Sequence, residues 1–223
     1  MVWPTTVAEL IEAQRALAVA NPEPWRPGPL TVGGCFVCFP RGHTGIGAAG
    51  DPAWAAAVLL ADGRRVGRYV VRATARGPYQ AGLLALREGP LLEAAVRGLP
   101  RLPDVLLVNA TGRDHPRRAG LAIHLGAELG VPTVGVTHRP LLATGEWPEP
   151  RAGAASPLFL EGELVGYWLR PRAAKRPIVV HPGWRVDPET ALNVVRRCCA
   201  RWRTPEPLRL ARRAARTARA RSG

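Results

Sequence analysis

Lysine is almost absent from this chain of 223 residues: Lys175 is the only one. Acids are scarce too, 17 against 31 basic residues, which leaves a formal net charge of +14 at pH 7. Abundant Ala, Gly, Pro and Arg fit a GC-rich genome, which explains Arg over Lys but not the shortage of carboxylates. That shortage points to a polyanionic partner, nucleic acid first, because guanidinium pairs bidentately with phosphate. Long apolar runs are also missing. The longest, Ala53–Ala61, is nine residues, far short of the ~20 that a membrane helix needs. No amphipathic stretch with bulky apolar residues favours a membrane surface. The start, Met1-Val2-Trp3-Pro4-Thr5-Thr6, has no basic region leading into an apolar one. No signal peptide is read, and a cytoplasmic location is expected. Wholesale disorder is excluded by a hydrophobic share of 47%.

Cysteine is scarce and poorly placed for redox or metal chemistry. Cys35 and Cys38 form a C-x-x-C spacing, but inside an apolar run that reads as a strand. Residues three apart on a strand point to opposite faces, so no shared clamp forms. Cys198 and Cys199 are neighbours on an expected helix. Reduced, buried thiols are the expectation for all four.

Thr6-Val7-Ala8-Glu9 matches a capping box, and Leu10, Ile11, Leu17 and Ala18 then share a helix face. Residues 21–30, with four prolines, read as a linker. Leu30–Phe39, Ala53–Ala61 and Arg65–Thr74 read as strands, joined by a Gly-rich loop over Arg41–Gly50 and a hairpin turn at Asp62-Gly63. A helix is expected from Gly89 to Val96, with Pro90 in its first turn. Asp104–Asn109 and Pro132–Val136 read as buried strands flanking a helix over Ala119–Leu129, a parallel crossover unit. Such sheets gather ligands at the carboxyl ends of their strands, here Asn109–His115 and Thr137–Arg139. A hairpin turning at Glu161-Gly162-Glu163, a strand over Ile178–His181 and a helix over Pro188–Trp202 follow. The expected fold is α/β, a mixed sheet made of an antiparallel meander and a parallel βαβ unit, flanked by helices. The expected organisation is one domain over residues 1–207 and an Arg-rich tail over 208–223. Residues 201–223 hold eight arginines against one acid, Glu206. They read either as a solvated, frayed helix or as a nonspecific phosphate-binding arm.

Several segments carry a resemblance. Pro78-Tyr79-Gln80-Ala81-Gly82, Leu86-Arg87-Glu88-Gly89-Pro90, Asn109-Ala110-Thr111-Gly112-Arg113-Asp114-His115-Pro116-Arg117-Arg118-Ala119-Gly120, Val131–Val136, Pro182-Gly183-Trp184-Arg185-Val186 and Leu192–Pro207 occur in this order. Together they resemble the endonuclease V family, over residues from about Leu30 to Pro207. The resemblance implies a ribonuclease-H-like fold and a Mg²⁺- or Mn²⁺-dependent nuclease that recognises deaminated bases, above all inosine, in DNA or RNA. It also implies a metal site of two Asp and one Glu, a late His, a Lys after the second parallel strand, and a Tyr that wedges into the base stack.

Laid onto this chain, the Glu is Glu88 and the wedge is Tyr79, while the loop's second Pro is Ala81 and a pocket Gly is Ala110. The Asp positions fall on Cys35 and Asn109, the Lys on His138 and the late His on Trp184. His115, Arg117 and Arg118 persist, the two arginines as phosphate contacts opening a helix. Mg²⁺ wants charged oxygen ligands. Glu88 alone supplies one, because Asn109 is neutral and Cys35 is soft. Asp114, then Asp51 and Asp187, are the candidate substitute acids, and a soft-metal site from Cys35, Glu88, His115 and His138 is the other alternative. Without a held metal, nothing activates water or stabilises the leaving oxygen, so cutting should be weakened or lost. The expectation is a binder of single-stranded, damaged or distorted nucleic acid. A working deoxyinosine endonuclease with substitute ligands and a non-catalytic partner-binding scaffold remain as alternatives.

Overall fold

The computed structural model describes residues 3–28, 30–42, 45–199 and 201–222. Met1, Val2, Pro29, His43, Thr44, Ala200 and Gly223, which fall within segments read above, lie outside the described residues. Helix α1 (Val7–Val19) opens on the expected box: Glu9 N donates to Thr6 Oγ1, and Thr6 N donates to the Glu9 carboxylate, both at 3.2 Å. Strands β1 (Thr31–Cys38), β2 (Pro52–Ala61) and β3 (Arg64–Thr74) form the antiparallel meander. Strand β4 (Val105–Val108) then pairs parallel with β1 on one side and with β5 (Thr133–Thr137) on the other. Helix α3 (Leu121–Leu129) is the crossover between β4 and β5.

Strands β6 (Ala155–Leu160), β7 (Glu163–Leu169) and β8 (Ile178–Pro182) complete one eight-stranded sheet in the order β3-β2-β1-β4-β5-β8-β7-β6. This is the mixed, helix-flanked sheet of the ribonuclease-H-like kind that the resemblance implied. Central strands β2 and β4 are apolar along nearly their whole length because both of their faces are covered. On one face, Cys35, Val37 and Leu59 pack with α1, α3 and helix α2 (Leu84–Arg97). On the other lie helix α4 (Pro188–Cys198) and helix α5 (Glu206–Ala220). Cys35 and Cys38 fall on opposite faces as the strand geometry requires, and all four cysteines are free. No helix among the described residues is long and apolar enough to cross a membrane.

Three expectations are corrected. Helix α2 begins at Leu84 rather than Gly89, so Pro90 lies inside it and Glu88 sits on a helix rather than before one. Tertiary packing holds that early turn: Gly89 lies against the ring of Trp3, where a Cβ would come within 2.3 Å of Trp3 Cζ3. Helix α4 stops at Cys198 instead of Trp202. The Arg-rich C-terminal segment is neither frayed nor a free arm. It is α5, whose Ala211, Ala214 and Ala215 are buried against β1 and β2. Its start is pressed so closely on β1 that a Cβ at Gly34 would lie 2.4 Å from the Pro207 backbone.

Candidate functional site

The carboxyl ends of β4 and β5, the start of α2 and the loop after β3 enclose a cleft of about 310 Å³. Its lining includes Tyr79, Gly82, Glu88, Asn109, His115, Thr137 and Arg139. Tyr79, Glu88, Asn109 and His115 were singled out from the sequence, and the fold brings these four together. Tyr79 is 52% exposed at the rim, on a loop anchored by its own N–H to Ile46 O at 2.6 Å.

That loop is held from one point. The Gly82 carbonyl accepts from Gln14 Nε2 at 3.0 Å, His115 Nε2 at 3.1 Å and Arg117 Nη2 at 2.7 Å. His115 Nδ1 accepts from Arg117 N at 3.2 Å, which assigns the ring proton to Nε2. Burial pushes the imidazole down to about 4, so it stays neutral. Arg117 Nε also donates to Gln14 Oε1. Gly82 has φ +77, in the left-handed region that favours glycine, and a Cβ there would sit 3.2 Å from Arg117 Nη2.

Arg117 and Arg118 therefore do not open a helix, as the sequence reading expected, and their side chains have protein partners. Helix α3 begins only at Leu121, and both arginines lie in the preceding turn, Arg118 with φ 55. Arg118 donates to Leu160 O at 3.1 Å and pairs with Glu161 at 2.8 Å and Glu163 at 3.3 Å, tying down the β6–β7 hairpin. Asp114 is fully buried and accepts from the backbone N–H groups of Leu141, Leu142 and Ala143 at 2.6–2.8 Å. Both of its oxygens are consumed in pinning the loop after β5. Asp51 accepts from Arg87 at 2.8 Å and Ala48 N, and Asp187 caps α4 by accepting from Thr190. His138 is exposed outside the cleft lining, lowered by partial burial and by the charges of Arg203 and Arg212. Trp184 packs with Leu17, Ala119 and Ile123 between α1 and α3.

Glu88 and Cys35 are the inner pair. Cys35 is wholly buried, its Sγ 3.8 Å from Leu107 O, and burial together with the Glu88 charge pushes its thiol far up. Burial raises Glu88 to about 7, opposed by the Arg87 charge. The Glu88 carboxylate has no hydrogen-bond partner among the described residues. Asn109, exposed just past β4, likewise presents a free amide. Arg139, exposed at the rim, has no side-chain partner among the described residues either. The strand-end rule placed Arg139 near a site, but nothing in its local sequence marked it. Gln14 was readable as the lone polar residue on the apolar face of α1. His181, buried beneath with Nε2 2.9 Å from Thr137 Oγ1, had no such signal.

These residues do not fit the Mg²⁺ or Mn²⁺ ion that the resemblance implies. The lining offers one carboxylate, Glu88, and that one favours its proton near neutrality. A protonated buried thiol and a neutral amide stand where charged oxygens would be needed. No group of three His, Cys, Asp or Glu among the described residues could hold a metal, which removes the soft-metal alternative as well.

The comparisons with known proteins agree with the geometry. The endonuclease V family profile matches residues 26–213. Endonuclease V of Nocardia farcinica is 40% identical over 222 residues, spanning 96% of this chain and 93% of that protein. That of Methanopyrus kandleri is 47% identical over 144 residues, spanning 65% of this chain and 62% of its own length. The crystal structure of endonuclease V from Streptomyces avermitilis superposes with a TM-score of 0.86 at 32% identity, over 99% of this chain and 96% of that one. A Ciona intestinalis endonuclease V, solved with a 24mer DNA containing an inosine, shares the fold at 22% identity and a TM-score of 0.75, over 97% and 99% of the two chains. With the eight-stranded sheet, the Tyr79 loop and the Glu88 helix in their expected order, this chain belongs to the endonuclease V family.

Proposed function

We propose that this chain binds single-stranded or distorted nucleic acid, including inosine-containing strands, in the Tyr79–Asn109 cleft, and that its phosphodiester cleavage is weakened or lost. The observation that carries the reading is the cleft's charge: one carboxylate, Glu88, faces one guanidinium, Arg139. Three carboxylates would repel a phosphodiester unless a cation sat between them. A cleft with this lining accepts the phosphate directly.

Each group has a task that needs no metal. Tyr79 offers an exposed ring on which a base stacks. The Asn109 amide supplies both a donor and an acceptor to a base edge or sugar. Glu88, titrating at about 7, presents a hydroxyl donor below neutrality and a carboxylate above it. The Gln14–His115–Arg117 set keeps the Tyr79 loop rigid, so stacking costs little ordering. Cleavage is weakened because a lining with one carboxylate does not hold the ion that would lower the pKa of the attacking water and offset the charge growing on the leaving oxygen. Support for the ligand class comes from the Ciona relative, which was solved on inosine-containing DNA.

The test is binding of an inosine-containing single strand in EDTA, beside a cleavage assay with Mg²⁺ and with Mn²⁺ on the same strand. The expected result is salt-sensitive binding that metal leaves unchanged, with no product. Metal-dependent cutting that a Glu88→Ala variant abolishes would establish a working nuclease with ligands drawn from elsewhere. Absence of binding at low salt would leave only the scaffold reading.

A further inference from the structure

A second feature lies away from the cleft. Strand β3 is the edge of the sheet and carries Arg64, Arg65, Arg68 and Arg72 with no acid. Arg76 follows in the loop that leads to Tyr79. The pairing register orients the row. Arg65 lies opposite Leu60, Arg68 opposite Val58, Val70 opposite Ala56 and Arg72 opposite Trp54. Val70 packs with Trp54, Ala56, Ala214 and Ala215, so Arg68 and Arg72 on either side of it face α5. Arg72 lies 5.9 Å from the Trp54 ring centroid. Helix α5 adds Arg213 and Arg216, both exposed. Its one acid, Glu206, is already bound to Arg209. The side chains of Arg65, Arg68, Arg213 and Arg216 have no hydrogen bond or ion pair among the described residues.

We infer that this edge, β3 with the outer side of α5, is a second nucleic-acid surface that holds the backbone of a duplex flanking the strand in the cleft. The dimensions agree. Eleven residues of strand at about 3.3 Å each span ~36 Å, close to one turn of B-form duplex. The row ends beside the loop that carries Tyr79, so a duplex on the edge delivers its end to the cleft. The charged groups of the row are guanidiniums, which grip phosphate without regard to sequence. Charged residues on an edge strand also discourage pairing with a second chain. Arg213 and Arg216 stand on a helix with no edge to guard, so that role does not account for them.

The experiment measures binding of a short undamaged DNA duplex across a salt series, in EDTA. The wild-type chain is compared with R65Q/R68Q/R213Q/R216Q and with R15Q/R26Q/R101Q/R151Q, which removes the same charge from exposed sites elsewhere. The edge variant should lose about 100-fold in affinity at low salt, and its log–log salt slope should fall by about 3–4, near 0.9 per lost phosphate contact. The scattered variant should keep most of the slope. Replacing the four edge arginines by lysine should restore it, and this charge-preserving variant keeps the test readable if the Gln variant folds poorly. Equal losses in the Gln variants would overturn the inference and leave only net charge. So would self-association of the edge variant with unchanged binding, or a wild-type preference for anionic vesicles over duplex. A Tyr79→Ala variant that loses the inosine strand but keeps duplex binding would separate this surface from the cleft.

Discussion

The two walls of the cleft are built alike and employed differently. On the side beside Gly82, the polar groups that fix the loops have protein partners. Gln14, His115 and Arg117 converge on the Gly82 carbonyl, and Asp114 accepts three backbone N–H groups. On the other wall Glu88, Asn109 and Arg139 face the cleft with no partner among the described residues. Partnered groups hold the shape, and unpartnered groups remain for a ligand. Retained motif residues can thus be architectural, while the altered ones set what the cleft accepts.

The sharpest way to break this contrast is Asp114→Ala. Removing a buried acceptor strands three N–H groups, so stability should fall by about 3 kcal/mol or more, read from the urea midpoint. A loss below about 0.5 kcal/mol would mean that Asp114 does not hold the loop. Next comes pH. Glu88 rises from 4.5 to about 7 on folding, so between these values the native state holds a proton that the unfolded chain releases. Its contribution to stability is whole below about 4.5 and declines as pH climbs toward 7, by no more than about 3 kcal/mol. His115 acts in the opposite sense: lowered from 6.5 to about 4, it costs stability as pH falls through that window. Glu88→Gln should flatten only the loss on the rising side, seen as a smaller difference in melting temperature between about pH 5 and about pH 7.5.

Arg117→Ala should cost about 1–2 kcal/mol, because Gln14 and His115 still serve Gly82. Its binding loss should track loop order, visible as faster amide exchange around residues 79–82. The smallest change in stability belongs to Arg139→Gln. Thermal unfolding should stay within about 0.5 kcal/mol of the parent. Affinity for the inosine strand should drop about tenfold, and the salt slope by about 0.7, the share of one single-strand phosphate. A stability loss with unchanged binding would place Arg139 on the architectural wall.

Much of the fold was legible in the residues. The Thr6–Glu9 box, the hairpin at Asp62-Gly63 and the apolar runs of β2, β4 and β5 are local signals, and each element formed where it was read. Helix α2 was read as starting five residues too late because Pro90 mimics a helix start, whereas Gly89 in contact with Trp3 lies well inside the helix. The C-terminal segment misled through its charge. Its apolar residues are mostly alanines, which bury well against closely spaced strands but leave little trace in a hydropathy pattern.

Sequence alone determined the family and the order of strands and helices, and it raised the expectation that Cys35 and Asn109 stand at the positions of two metal-site aspartates. These are matters of residue identity and spacing along the chain. Only the tertiary structure decided which polar groups are occupied. It placed Asp114 beneath a loop, turned Arg117 and Arg118 inward, left Arg139 facing the cleft and aligned the β3 arginines beside α5. The reason is that a side chain's availability depends on the partners that folding brings within about 3 Å, and those partners lie far away in sequence.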